Sequence, residues 1–324
     1  MERIEQPITG SEAWRPPGYV DPDSFDERDV TLDGGPFAVP GTVTVPRTPG
    51  PHPAVVLLAG GGPFNRDETA GPNKTLKDIA WGLAARGIVV LRFDKATFVD
   101  QGVFGRPDFT PTDEYVPHAV AAVELLQRHE KVDTARVFVV GHSMGGKFAP
   151  RVAATAPSVA GLVVMAGDTQ PMHVACVRVM RYLVSLDPEN EEAARLLATF
   201  TEQAKVVDSP ELSVTTPPSE LPFGASGAYW LDLRAYDPVA TAVQVAKPMF
   251  IVQGGRDYQI TVADDLIGWQ RGLADRPDVT IRIYDALNHM LCPGTGPSTP
   301  ADYEAVGHVD PELVTDVANW ILAR

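Results

Sequence analysis

The stretch Arg136 to Gly146, RVFVVGHSMGG, constrains this chain more than any other. Val137-Phe138-Val139-Val140 is apolar at every position, mostly β-branched, and breaks off at Gly141. A short unbroken apolar run bounded by glycine reads as a parallel strand buried on both faces. The pattern then turns helical through Lys147, Phe148, Ala149 and Val152-Ala153-Ala154, and stops at Ala156-Pro157. A strand, Gly-x-Ser-x-Gly and a helix in that order make a nucleophile elbow, a tight turn that lifts a serine hydroxyl clear of the sheet at a helix N-terminus. Glycines two residues either side of Ser143 give neighbouring backbone room to approach. The rival reading is an incidental serine in a glycine-rich turn. The rest of the chain decides between them by whether it supplies a base, an acid and a second anion-stabilising donor.

Along the chain, apolar runs and amphipathic segments alternate. Residues 1–26 are proline-rich and polar and read as an extended arm, docked through Trp14 and Tyr19. Strand character follows at Asp29 to Leu32 and Phe37 to Val45, with Asp33-Gly34-Gly35 between them as a hairpin signal. Pro53 to Leu58 is a buried strand ending in Ala59-Gly60-Gly61-Gly62-Pro63. A helix on Leu76, Ile79, Ala80, Leu83 and Ala84, a strand Ile88 to Leu91, a helix around His118 to Arg128, the elbow strand and a strand Gly161 to Met165 follow. This alternation predicts an α/β fold with a mostly parallel central sheet and helices on both faces, its ligands at the carboxyl ends of the strands. It lapses at 170–235, where two amphipathic helices and a proline-rich connector read as a helical cap insertion. The core is thus expected at 27–169 and 236–324, the sheet resuming at Pro248 to Val252 and Val279 to Tyr284 and a helix Glu312 to Leu322 closing the chain.

Two residues beyond the cap complete a catalytic constellation. Asp257 follows the strand Phe250 to Val252 through Gln253-Gly254-Gly255-Arg256, and His289 lies on the loop after Ile281 to Tyr284. Both fall just past strand ends, on the rim that carries Ser143. A serine hydroxyl is protonated at neutral pH and needs a base as it attacks, which His289 supplies before returning the proton to the leaving group. Asp257 fixes the imidazole tautomer and stabilises the cation that forms. Asp168, also just past a strand, is the rival acid, and the glycine turn before Asp257 favours the latter. His142 is the variable position of the elbow. The oxyanion donors expected are the backbone N–H of Met144 and that of Gly61, with Gly62 close by. Met172, Met180, Tyr182, Phe200, Tyr229 and Trp230 are candidate cap residues for an apolar pocket, Tyr229 and Trp230 foremost with Gly62 as substrate contacts. Arg66, Asp67, Asp94 and Lys95 are read as anchors of the rim loops.

From about residue 27 to its end the chain resembles the α/β-hydrolase superfamily, and within it bacterial serine esterases and acyl-thioester hydrolases related to dienelactone hydrolase. The resemblance rests on the elbow, on Gly60-Gly61-Gly62-Pro63 followed by Arg66-Asp67-Glu68-Thr69, on Gly71-Pro72-Asn73-Lys74, Leu91-Arg92-Phe93-Asp94-Lys95 and Asp257-Tyr258-Gln259, and on Asn288-His289. It implies serine hydrolase chemistry with Ser143, Asp257 and His289 as the triad. The chain departs from the pattern at Ala96-Thr97-Phe98-Val99, a loop bordering the pocket.

Composition narrows the partners. A net charge of -15 argues against nucleic acid and against an anionic membrane surface. No apolar run approaches the roughly 18 residues of a membrane span, and the first residues lack the pattern of a secretory signal, so a cytoplasmic location is the default. Cys176 and Cys292 are far apart and without metal-ligand spacing; neither a metal nor an organic cofactor is expected. The function expected is a serine carboxylic-ester hydrolase working through an acyl-serine on a small to medium, fairly apolar ester or thioester. A lyase on the same fold, eliminating an acid from an ester or cleaving a carbon–carbon bond, is the alternative, and a non-catalytic ligand-binding protein a further one. The expected partner is a small-molecule ester; self-association is left open.

Overall fold

The structure, a computed structural model, describes residues 14–324; the first part of the arm, 1–13, lies outside the described residues. The strands of the main sheet are β1 (Phe25–Leu32), β2 (Val39–Pro46), β3 (His52–Leu58), β4 (Val89–Phe93), β5 (Val132–His142), β6 (Leu162–Met165), β7 (Met249–Gly254) and β8 (Val279–Tyr284). They lie in the order β1-β2-β4-β3-β5-β6-β7-β8. β1 and β2 pair antiparallel, as do β2 and β4, while all pairings from β4 to β8 are parallel. β1 starts at Phe25, earlier than its sequence suggests, because most of this edge strand is exposed and carries no apolar alternation; its pairing with β2 defines it.

The central strands divide their side chains between two cores. Val56, Leu58, Val137 and Val139 face one layer, and Val55, Leu57, Phe138 and Val140 the other. This is why the runs read as continuously apolar: the period of two is real, but both faces are covered. One layer is formed by α1 (Thr75–Ala84) and the C-terminal helix Pro311–Leu322. The other holds α2 (Pro111–Gln127), α3 (Met144–Thr155) and the Trp269 region. α2 begins well before His118. Thr110 and Asp113 form a reciprocal capping box and Pro111 sits at the first helical position.

Between β6 and β7 the chain leaves the sheet for α4 (Met172–Leu186), α5 (Glu191–Asp208), α6 (Gly227–Ala235) and α7 (Pro238–Val245). A third apolar cluster, including Val207, Leu212, Leu221, Trp230, Leu233 and Tyr236, ties these helices to Tyr115, Met144 and Phe148 of the body. Trp14 packs edge-on against Trp81 and its indole N–H donates to Asp78, and Tyr19 lies under the Arg86 guanidinium. Among the described residues no helix is long and apolar enough to cross a membrane.

Candidate active site

In a parallel sheet all carboxyl ends share one rim, and the order reverses where β3 is flanked by β4 on one side and β5 on the other. That reversal opens a crevice at the strand ends. The loops after β3, β5, β7 and β8 bring Gly60 to Gly62, Ser143, Asp257 and His289 to this rim. Ser143 takes φ 53° and ψ -124°, a conformation disfavoured for an L side chain. The turn is held by packing that tolerates no side chain at its glycines. A Cβ on Gly141 would lie 2.2 Å from the Gly145 carbonyl oxygen, and one on Gly145 would lie 2.4 Å from that of Leu58. The Ser143 N–H donates to the Met165 carbonyl at 2.8 Å, tying the elbow to β6.

Ser143, His289 and Asp257 meet. His289 Nε2 lies 3.1 Å from Ser143 Oγ, and its Nδ1 lies 2.7 Å from Asp257 Oδ2. The Asp257 side chain is wholly buried. Its Oδ1 accepts from the backbone of Gln259 and Ile260, and its Oδ2 also from the Gln253 amide. With the carboxylate so fixed, His289 donates from Nδ1, which leaves Nε2 as an acceptor facing the Ser143 hydroxyl. His289 sits in a tight turn closed by the Asn288 carboxamide on the Cys292 N–H. Neither Met144 nor Gly61 donates its backbone N–H to an acceptor among the described residues.

The rim loops are anchored by the residues singled out for that role. Arg66 grips Asp94 through Nε and Nη2 and donates to the Gly41 carbonyl; Asp67 takes Arg92 and Lys74. Lys95 is buried, pairs with Glu114 at 3.0 Å and donates to the Gly60 carbonyl at 2.8 Å, which also accepts from Tyr115. Burial lowers the Lys95 ammonium below its usual value, and Glu114 opposes that. Asp168 pairs with Lys147 on α3 rather than with any histidine.

A cavity of about 780 Å³ opens above the serine. Its walls take Gly61, Gly62, Phe64 and Met144 from the core, and Met172, Ala175, Cys176, Val179 and Met180 from α4. That i, i+3, i+4, i+7, i+8 spacing is one face of a helix. Phe200, Phe223 and Tyr229 add further wall, and the Tyr229 hydroxyl donates to Glu114 at 3.0 Å. Two expected pocket residues are elsewhere. Trp230 is buried in the third apolar cluster, its indole N–H on the Pro222 carbonyl, because neighbouring positions on α6 face opposite ways. Tyr182 stacks on Tyr258 and donates to the Ser298 carbonyl. Glu68, to which residue order assigns no role, and His142, legible only as the variable position of the elbow, also line the cavity beneath Ser143. Glu68 stood inside the Arg-Asp-Glu-Thr run, but nothing in linear order reveals that an acid folds under a turn 75 residues on.

Comparison with known proteins agrees with this architecture. A family model described as the alpha/beta hydrolase family matches residues 55–306. Esterase EstD of Thermotoga maritima is 39% identical over 306 residues, 94% of this chain and 70% of its own length. Among solved structures, an esterase of Pyrococcus furiosus superposes with a TM-score of 0.57 at 19% identity, over 97% of this chain and 98% of its own. Est1E from Butyrivibrio proteoclasticus does so at 0.58 and 13%, over 91% and 99%. The chain belongs to the alpha/beta hydrolase family.

Proposed function

We propose that this protein is a serine carboxylic-ester hydrolase that turns over small to medium, fairly apolar esters through an acyl-serine intermediate. The observation that carries the reading is the Ser143–His289–Asp257 relay opening into a largely apolar cavity. His289 takes the Ser143 proton as Oγ attacks the acyl carbon, and the oxyanion is received by the Met144 and Gly61 N–H groups. Collapse expels the alcohol, which takes its proton from His289. Water then attacks the acyl carbon as His289 takes its proton, and His289 returns that proton to Ser143 Oγ as the acyl–oxygen bond breaks, releasing the acid. A volume of about 780 Å³ admits a substrate of drug-like size, and the similarity to proteins named esterases supports the bond type.

Intact-mass labelling with a fluorophosphonate tests this. Wild type takes up one equivalent, and Ser143→Ala takes up none and loses roughly 10³-fold or more of its turnover of a short p-nitrophenyl ester. Equal labelling of Ser143→Ala, or none of folded wild type, overturns the reading.

A further inference from the structure

Beneath the catalytic rim lies a second acid–histidine pair. His142 is buried, and both its ring nitrogens face acceptors: Nδ1 lies 3.0 Å from both Glu68 carboxylate oxygens, and Nε2 lies 2.7 Å from the His289 carbonyl oxygen. A neutral imidazole has one N–H and satisfies only one of two such partners; an imidazolium satisfies both. Glu68 Oε1 also accepts the Gly60 N–H at 2.6 Å. The carboxylate reaches this point from a backbone at φ 52°, a left-handed conformation that is uncommon for glutamate and commonly marks a functional constraint.

We propose that Glu68 and His142 are positioning residues: a carboxylate–imidazolium clamp that aligns the Gly60-Gly61 oxyanion loop and the His289 loop on the elbow, and lets go when its proton leaves. This rests on the esterase reading above. Gly60 is held on both sides: its N–H donates to Glu68, and its carbonyl, which shares a peptide plane with the Gly61 N–H, accepts from Lys95 and Tyr115. The next N–H, that of Gly61, is thereby pointed without a contact of its own. On the other side, the His142 bond to the His289 carbonyl fixes the backbone from which the catalytic imidazole hangs. One proton thus serves two parts of the machinery.

The groups facing His142 are Glu68 from the loop after β3, His289 with its ring centroid at 4.9 Å, and Asp257 behind His289; Lys95 lies across Gly60 from Glu68. Burial alone depresses an imidazolium, but the Glu68 charge and hydrogen bond, the His289 carbonyl and Asp257 together outweigh it, and the pKa of His142 is raised. With acceptors at both ring nitrogens, the clamp holds its proton to a higher pH than a free imidazole does and opens on the alkaline side. When it opens, the ring keeps one N–H for two acceptors; that hydrogen stays on the Glu68 carboxylate, the stronger acceptor, and the His289 carbonyl faces a lone pair.

The pH dependence of kcat and of fluorophosphonate labelling tests this in wild type, Glu68→Gln and Glu68→Ala. Wild type shows an alkaline limb in both. Glu68→Gln keeps both contacts without the charge, since its amide accepts from Gly60 and donates to a neutral His142; its activity lies between the other two, and its profile has no alkaline limb. Glu68→Ala loses roughly 10²-fold in kcat with KM nearly unchanged, as for a misplaced oxyanion donor. Nitrogen-15 imidazole NMR of wild type, assigned against His142→Gln, shows both His142 nitrogens protonated at neutral pH and one losing its proton along the same limb. Superimposable profiles of wild type and Glu68→Gln, or a neutral His142 ring at neutral pH, overturn the clamp. Absent labelling of wild type overturns the esterase reading instead, and the NMR still reads the clamp.

Discussion

At the scale of single residues, two aspartates at neighbouring strand ends have opposite fates. Asp257 accepts four hydrogen bonds, one of them from His289. Asp168 is bound to Lys147, both of them buried. Asp257→Asn is expected to cut kcat by roughly 10³- to 10⁴-fold, because the amide no longer holds the imidazole tautomer. Asp168→Asn instead strands a buried ammonium and costs stability, on the order of 3 kcal/mol, while leaving the serine–histidine pair in place. Ester turnover and urea unfolding of the two variants check this; the reverse pattern reassigns the acid. The same scale exposes where reading residue types fails. Tyr229 and Trp230 are equally plausible as pocket aromatics, yet one lines the cavity and the other is packed away from it.

At the scale of elements, most of the fold is set by local signals. α2 shows how much such a signal is worth. Its start lies at Pro111 because the Thr110 hydroxyl and Asp113 carboxylate satisfy each other's backbone donors. Thr110→Ala is expected to cost about 1 kcal/mol with kcat unchanged, as measured by chemical denaturation beside an activity assay. The helix packs against the sheet and reaches the site through Glu114 and Tyr115. α4 makes the complementary point. Its cavity-facing residues repeat at helical spacing, so the existence of an apolar face is legible; whether that face meets solvent, core or cavity is not.

At the scale of the whole molecule, the edge formed by β1, β2 and β4 is pinned by a buried guanidinium. Arg92 bonds Glu27 and Asp67 across it. Burial raises the pKa of each acid, but Arg92, with Lys74 and Lys77 at Asp67, outweighs it, and both are lowered. A carboxylate with a depressed folded pKa contributes stability that is present above its unfolded value and lost as pH falls through the folded one. The melting temperature is therefore expected to fall as pH drops below about 4. Arg92→Met should be less stable at neutral pH and show a shallower acid dependence. A parallel acid dependence in the two proteins contradicts this.

The sequence by itself determined the strand–turn–helix of the elbow, the α/β alternation, and the order of serine, acid and histidine. Each is written in periodicity, in glycine positions, or in which residue follows a strand. Parallel strands then place every such residue on one rim, so local pattern converts directly into proximity. Only the tertiary structure decided that Glu68 folds beneath Ser143, that His142 faces two acceptors, and that Asp168 is taken by Lys147. It alone also decided that Tyr229 lines the cavity while Trp230 does not. These depend on what lies opposite a side chain across loops far apart in the chain, and on the desolvation that follows. Neither has a signature in residue order.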